Sequence, residues 1–106
     1  MIATLDGISG DGVLIAEINR LTKKDARGKM VEVVGVAEAW GEWSSIDPRA
    51  WDLRDAASSG RNLIFQGLAN VDGEFRPVEV PVTISWYEQT PDGFSAEIRL
   101  SGASLV

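Results

Sequence analysis

Residues 76–88 read RPVEVPVTISWYE. Val78, Val80, Val82, Ile84 and Trp86 share one parity, and Glu79, Thr83, Ser85 and Tyr87 share the other. Side chains of a strand point alternately to opposite faces, so this run predicts a strand with one face on a core. Pro77 and Pro81 have no N–H to give to a ladder, which predicts an edge position over at least the first half.

The same reading extends outward in both directions. TPDG at 90–93 turns the chain into 94–101, where Phe94, Ala96, Ile98 and Leu100 alternate with Ser95, Glu97, Arg99 and Ser101. Upstream, NVDG at 70–73 joins residues 62–69, which carry Leu63 and Phe65 on one face and Ile64 and Leu68 on the other. The C-terminal half therefore reads as a three-stranded antiparallel meander. Asp-Gly supplies the positive φ angles of tight hairpin turns, and it recurs at Asp6-Gly7, Asp11-Gly12, Asp72-Gly73 and Asp92-Gly93. Residues 67–86, GLANVDGEFRPVEVPVTISW, resemble a strand segment of the YceI-type lipid-binding barrels, with an inserted turn and no supporting pattern upstream. No family assignment follows from that segment.

The N-terminal half predicts a short strand over 1–6, a longer one over 13–21, a basic turn at 22–28 and a strand over 29–43. A continuous helix over 13–28 is the competing reading. One helix is expected over 48–57, crossing between two β segments. Asp47 suits the cap and Pro48 the first helical position, while Gly60 suits the stop. Ile46 and Trp51 have the spacing of a hydrophobic staple.

Three of the four tryptophans fall in EAWGEWSSIDPRAWDL, residues 38–53. On the strand over 29–43, Gly35, Ala37, Ala39, Gly41 and Trp43 share a face. Small side chains in succession either let another element approach or leave a hollow. The first alternative lays the helix over the strip, with Trp51, Leu53 and Ala57 filling it. The second makes the strip the floor of a pocket contacted by Trp43, Trp51 and Phe65. Trp40 shares the opposite face with Glu38 and Glu42, an aromatic anchor with an acidic rim.

The totals narrow the chemistry. With 106 residues, the chain has the size of one domain, expected as one β-rich unit over 1–106. It has no cysteine and no histidine. That removes disulfides, thiolate and imidazole metal sites, and Ser-His-Asp hydrolysis. The formal charge of −6 argues against a nucleic-acid binder. The cluster Lys23, Lys24, Arg27 and Lys29 reads as a solvated turn, with contact to an anionic partner as the alternative. The DGISGDG run at 6–12 lacks the ligand spacing of a calcium loop and reads as two consecutive hairpin turns. Glu42, Asp47, Asp52 and Asp55 lie close enough in sequence to be weighed as a carboxylate set for glycoside chemistry. Asp52 and Asp55 beside Arg49 and Arg54 are more simply a solvated helix face. No apolar run reaches the roughly 18–20 residues of a membrane span, and the N-terminus does not read as a signal peptide.

The expected fold is an antiparallel sandwich or partly open barrel of about six or seven strands with one short helix. The expected function is a non-catalytic interaction or assembly module, cytoplasmic, with no cofactor or metal, binding a protein partner or itself. The profile is that of small bacterial or phage structural components. A carrier of an apolar or sugar ligand is the second reading. The residues expected at the binding site are Trp40, Glu38, Glu42, Trp43, Trp51 and Phe65.

Overall fold

The computed structural model describes residues 1–102, leaving aside the side chains of residues 34–37. Six strands, β1 (Ile2–Leu5), β2 (Ile8–Lys24), β3 (Met30–Ser45), β4 (Leu63–Val71), β5 (Glu74–Thr90) and β6 (Gly93–Leu100), close into a barrel in the order β1-β2-β3-β6-β5-β4. The C-terminal meander is as read from the alternation. Leu63, Phe65, Val80, Val82, Phe94 and Ile98 all point inward and are buried. Residues 74–80 of β5 pair only with β4; pairing with β6 begins at Val82, opposite Leu100, and the Pro81 carbonyl accepts from the Ser101 N–H at 3.0 Å. Pro77 therefore sits in a half-strand with one free edge and Pro81 at the end of it, where a missing N–H costs the ladder least.

Closure happens at β1. This strand pairs with β2 along its whole length and with β4 at Thr4 and Leu5. Where β1 ends, β2 turns directly to β4 and runs parallel to it over Leu14–Ala16. The β1–β2 turn is fastened to β4 by Asp6. Its backbone N–H donates to the Ile64 carbonyl, its side chain accepts from the Ile64 N–H at 2.9 Å, and it pairs with Arg61 at 3.1 Å.

Three Asp-Gly steps lie at the expected hairpins: Asp6-Gly7 with φ of 50° and 79°, Asp72-Gly73 with 57° and 87°, and Asp92-Gly93, where Pro91-Asp92 form the loop closed by Thr90↔Gly93. Asp11-Gly12 does not turn; it lies inside β2. Gly10 and Gly12 are there because β3 lies so close. A Cβ on Gly10 would stand 2.3 Å from the Ser44 carbonyl oxygen and 2.6 Å from the Trp43 ring, and one on Gly12 2.6 Å from the Glu42 carbonyl oxygen. The DGISGDG run is thus one turn and a strand start, and the helical alternative for 13–28 is replaced by β2.

Trp43 fills the space those glycines leave. It is 1% exposed, donates its indole N–H to the Ala3 carbonyl at 3.2 Å, and meets Phe94 edge-on at 6.5 Å between ring centres. Tyr87 stacks on Phe94 at 5.5 Å between ring centres. The buried residues form one contiguous cluster, and no buried side-chain polar atom among the described residues lacks a partner.

Gly41 also answers to β2, since a Cβ there would lie 2.1 Å from the Val13 carbonyl oxygen. The expectation that the helix covers the strip fails for the described part of it, Ala39 and Gly41. Gly35 and Ala37 lie outside the residues whose side chains are described. The segment after β3 forms a 3₁₀ turn (Pro48–Leu53) followed by α1 (Arg54–Ser59), packed on β6 and β5 respectively. Asp47 caps it, accepting from the Arg49 N–H at 2.9 Å, and Gly60 ends it in the left-handed region at φ 69°. The Arg49 side chain hydrogen-bonded to Asp47 holds that carboxyl below its ordinary range and raises its own pKa in return. In a 3₁₀ turn residues three apart eclipse, so Ala50 and Leu53 share the buried face and Trp51 turns outward. No staple forms: Ile46 is 88% exposed.

The shape is long, 60 × 27 × 18 Å, with a radius of gyration of 16.3 Å. A compact chain of this size would have about 13 Å. The difference comes from β2 and β3, which outrun their other neighbours. Pairing of β3 with β6 starts at Trp40, so from Glu17↔Glu38 to Lys24↔Met30 the two strands form a ribbon on their own. Arg20 ties its base to the β4–β5 turn through Asp72 at 2.7 Å. Among the described residues no helix is long and apolar enough to cross a membrane.

Candidate functional site

The outer face of β2, β3, β6 and β5 is built in rows set by the register. One row is Val13, Glu42, Glu97 and Trp86; the next is Ile15, Trp40, Arg99 and Thr83. Beyond Ile15 and Trp40 the next pair is Glu17 opposite Glu38. Trp40 is 39% exposed and Trp86 54%, placed diagonally across the Glu42–Glu97 pair. Two shallow grooves of about 460 and 420 Å³ flank that pair and share Val13, Glu42 and Glu97. Trp86 lines the first and Trp40 the second.

Trp86 reaches this face through a bulge. The alternation of 76–88 places it inward with Ile84, but the pairing slips between Ile84↔Ile98 and Trp86↔Glu97. An extra residue in one strand reverses the facing of everything after it. Trp86 therefore turns out beside Glu97, and Tyr87 turns toward Phe94.

The face is electrostatically lopsided. Glu17 faces Glu38 and Glu42 faces Glu97 across adjacent strands, a like-charge arrangement that disfavours the sheet. Among the described residues none of these four forms an ion pair. Asp11, at the groove's end, is held by the N-terminal ammonium. Arg99 beside Trp40 is the one cation in the two rows that span the grooves.

Of the residues expected at a site, the structure brings Trp40, Glu38 and Glu42 together on this face. Trp43 and Phe65 are in the barrel core at 1% and 0% exposure, and Trp51 stands on the 3₁₀ turn, 42% exposed. Ile15, Glu17, Trp86, Glu97 and Arg99 complete the face and were not singled out. Ile15 and Glu17 come beside Trp40 through the β2–β3 register; the outward parity of Glu97 and Arg99 is readable, but their position there depends on the β3–β6 pairing, which no local pattern encodes. The carboxylates weighed as a set do not assemble as one. Asp47 caps the 3₁₀ turn, Asp52 and Asp55 are exposed on the helical segment, and Glu42 points out from β3. No group of three or more metal-binding side chains converges among the described residues.

Comparison with known proteins finds no family model, curated protein or solved structure that matches this chain.

Proposed function

We propose that this protein is a non-catalytic interaction module that assembles through the outer face of β2, β3, β6 and β5. The observation that supports this most is the exposure of Trp40 and Trp86 over a sheet whose other side carries the buried core. Exposed aromatics around a charged rim are the surfaces that carry interface energy in other proteins. A cysteine-free chain suits assembly in a reducing, cytoplasmic setting.

The test is Trp40→Ala, with association followed by sedimentation and folding by circular dichroism. The expected result is a folded protein whose association weakens by about 30-fold or more, the loss typical of an interface anchor. Unfolding instead would assign Trp40 to the core and overturn the reading.

The small-molecule reading keeps one supporting observation. The two grooves are within the roughly 300–1,000 Å³ of ligand pockets. Such a ligand would sit on the outside, against Trp86 or Trp40, because the described barrel interior is filled by Trp43, Phe65 and Phe94. Native mass spectrometry separates the two: a non-covalent adduct lost on denaturation favours the ligand, a bare multimer favours assembly.

A further inference from the structure

The groove face carries unpaired anions, and the far end of the same molecule carries unpaired cations. Lys23, Lys24, Arg27 and Lys29 surround the β2–β3 turn and, among the described residues, form no ion pair. The one acid within the turn, Asp25, is occupied in shaping it, accepting from the backbone N–H groups of Arg27 and Lys29 at 2.8 and 2.9 Å. Lys23 pairs with Val31, nine positions along β3 from Trp40. At roughly 3.3 Å per residue that is about 30 Å, so the basic tip cannot neutralise its own groove.

The ribbon is also incomplete as a structure. Leu21 faces Val33 and Lys23 faces Val31, giving one face of three aliphatic side chains and a lysine. Leu21 is 53% exposed and Val33 37%. A two-stranded ribbon is marginal by itself in water and gains from a surface that covers its apolar side.

We infer that the occupant of the groove is the β2–β3 ribbon of a second copy of this chain. The inference rests on the proposed role of the outer face. Leu21, Val31 and Val33 lie over Ile15 and Trp40, and Lys23 on the same face, with Arg27 and Lys29 of the turn beyond it, meets Glu42, Glu97 and the Glu17–Glu38 pair. The cations also suit the faces of Trp40 and Trp86. Ribbon and groove are different surfaces, so two copies that exchange ribbons reciprocally form a closed dimer, and copies joined head-to-tail form rings or filaments.

The experiment is a charge swap read by sedimentation velocity. One variant carries Lys23→Glu and Lys24→Glu; the other carries Glu42→Lys and Glu97→Lys. Each alone sets like charges against each other at every contact, and each is expected to dissociate at least about tenfold more readily than the wild type. Mixed in equal amounts, each ribbon meets a groove of opposite charge, and large species are expected to return. Added salt should dissociate the wild type, because charges of this kind are screened within about 10 Å at 0.1 M.

A wild type that sediments as a monomer at every concentration overturns the inference. So does an oligomer that both charge variants leave intact. If Trp40→Ala dissociates that oligomer while Lys23→Glu with Lys24→Glu does not, the outer face keeps its role and the ribbon loses its own. If Trp40→Ala leaves assembly unchanged while the mixture rescues it, the charge pairing stands and the proposed role of Trp40 fails.

Discussion

The barrel and the ribbon are made from the same two strands, and they obey different rules. In the barrel, β2 and β3 are flanked on both sides, and Leu14, Ala39 and Trp43 on their inner faces are buried. A few residues further along, past the register slip between Ile18 and Arg20, Leu21 and Val33 pair on the outer face of the same two strands and remain exposed, because nothing lies over them. The difference shows that strand pattern makes a ladder, while burial depends on what the ladder is laid against. A chain that keeps an apolar face uncovered carries, in that face, information about a partner.

The contrast sets the order of expected mutational effects. Trp43→Ala should have the largest, since it removes the biggest core side chain, its edge contact with Phe94 and its hydrogen bond to Ala3. A loss of about 3–5 kcal/mol is expected in urea unfolding. Gly41→Ala comes next. The added methyl meets the Val13 backbone, which cannot rotate away, and about 1–3 kcal/mol of overpacking is expected by the same measurement. Leu21→Ser, in the ribbon, should change the unfolding free energy of the dilute protein by only about 0.5 kcal/mol while weakening association. If Leu21→Ser costs as much as Trp43→Ala in dilute solution, the ribbon is part of the core and the contrast collapses.

The smallest effect belongs to the Asp47 cap. Its carboxyl lies below the ordinary aspartate value of 3.8 in the folded protein because of its hydrogen bonds with Arg49. Folding therefore favours the ionised form. The stabilisation is fully present above 3.8 and disappears as the pH falls through the lower folded-state value. Arg49 stays charged throughout that range. Asp47→Asn should flatten the acid limb of a stability–pH curve followed by circular dichroism and leave neutral behaviour nearly unchanged. An unaltered acid limb would show that the cap contributes nothing to folding.

Much of the barrel was legible because its signals are local. Alternation over 76–101 gives the strands and, up to Ile84 and again from Phe94, their facings, and three Asp-Gly steps mark hairpins. Asp47, Pro48 and Gly60 bracket the helical segment within a residue or two. The misreadings share a cause in tertiary contact. Asp11-Gly12 carries turn chemistry, yet its glycine serves close packing against β3. Gly41 belongs to a strip that invites a helix, yet the Val13 carbonyl occupies the space. Ile46 and Trp51 have staple spacing for an α-helix, and the 3₁₀ start rotates Trp51 away. The site was half legible for the same reason. Trp40 with Glu38 and Glu42 lies on one strand and could be read by parity. Trp86 needed a bulge, and Glu97 needed a neighbour that no sequence pattern specifies.

Hydrogen exchange across a concentration series tests the central claim most directly, because it reads the barrel and the ribbon in one sample. Amides in β4, β5 and β6 should be protected at every concentration, since they open only with the barrel. Amides of residues 18–24 and 30–33 should exchange quickly in dilute solution and become protected as the concentration rises, in step with those around Trp40 on the receiving face. Ribbon amides whose exchange does not depend on concentration, whether fast or slow, would contradict the account.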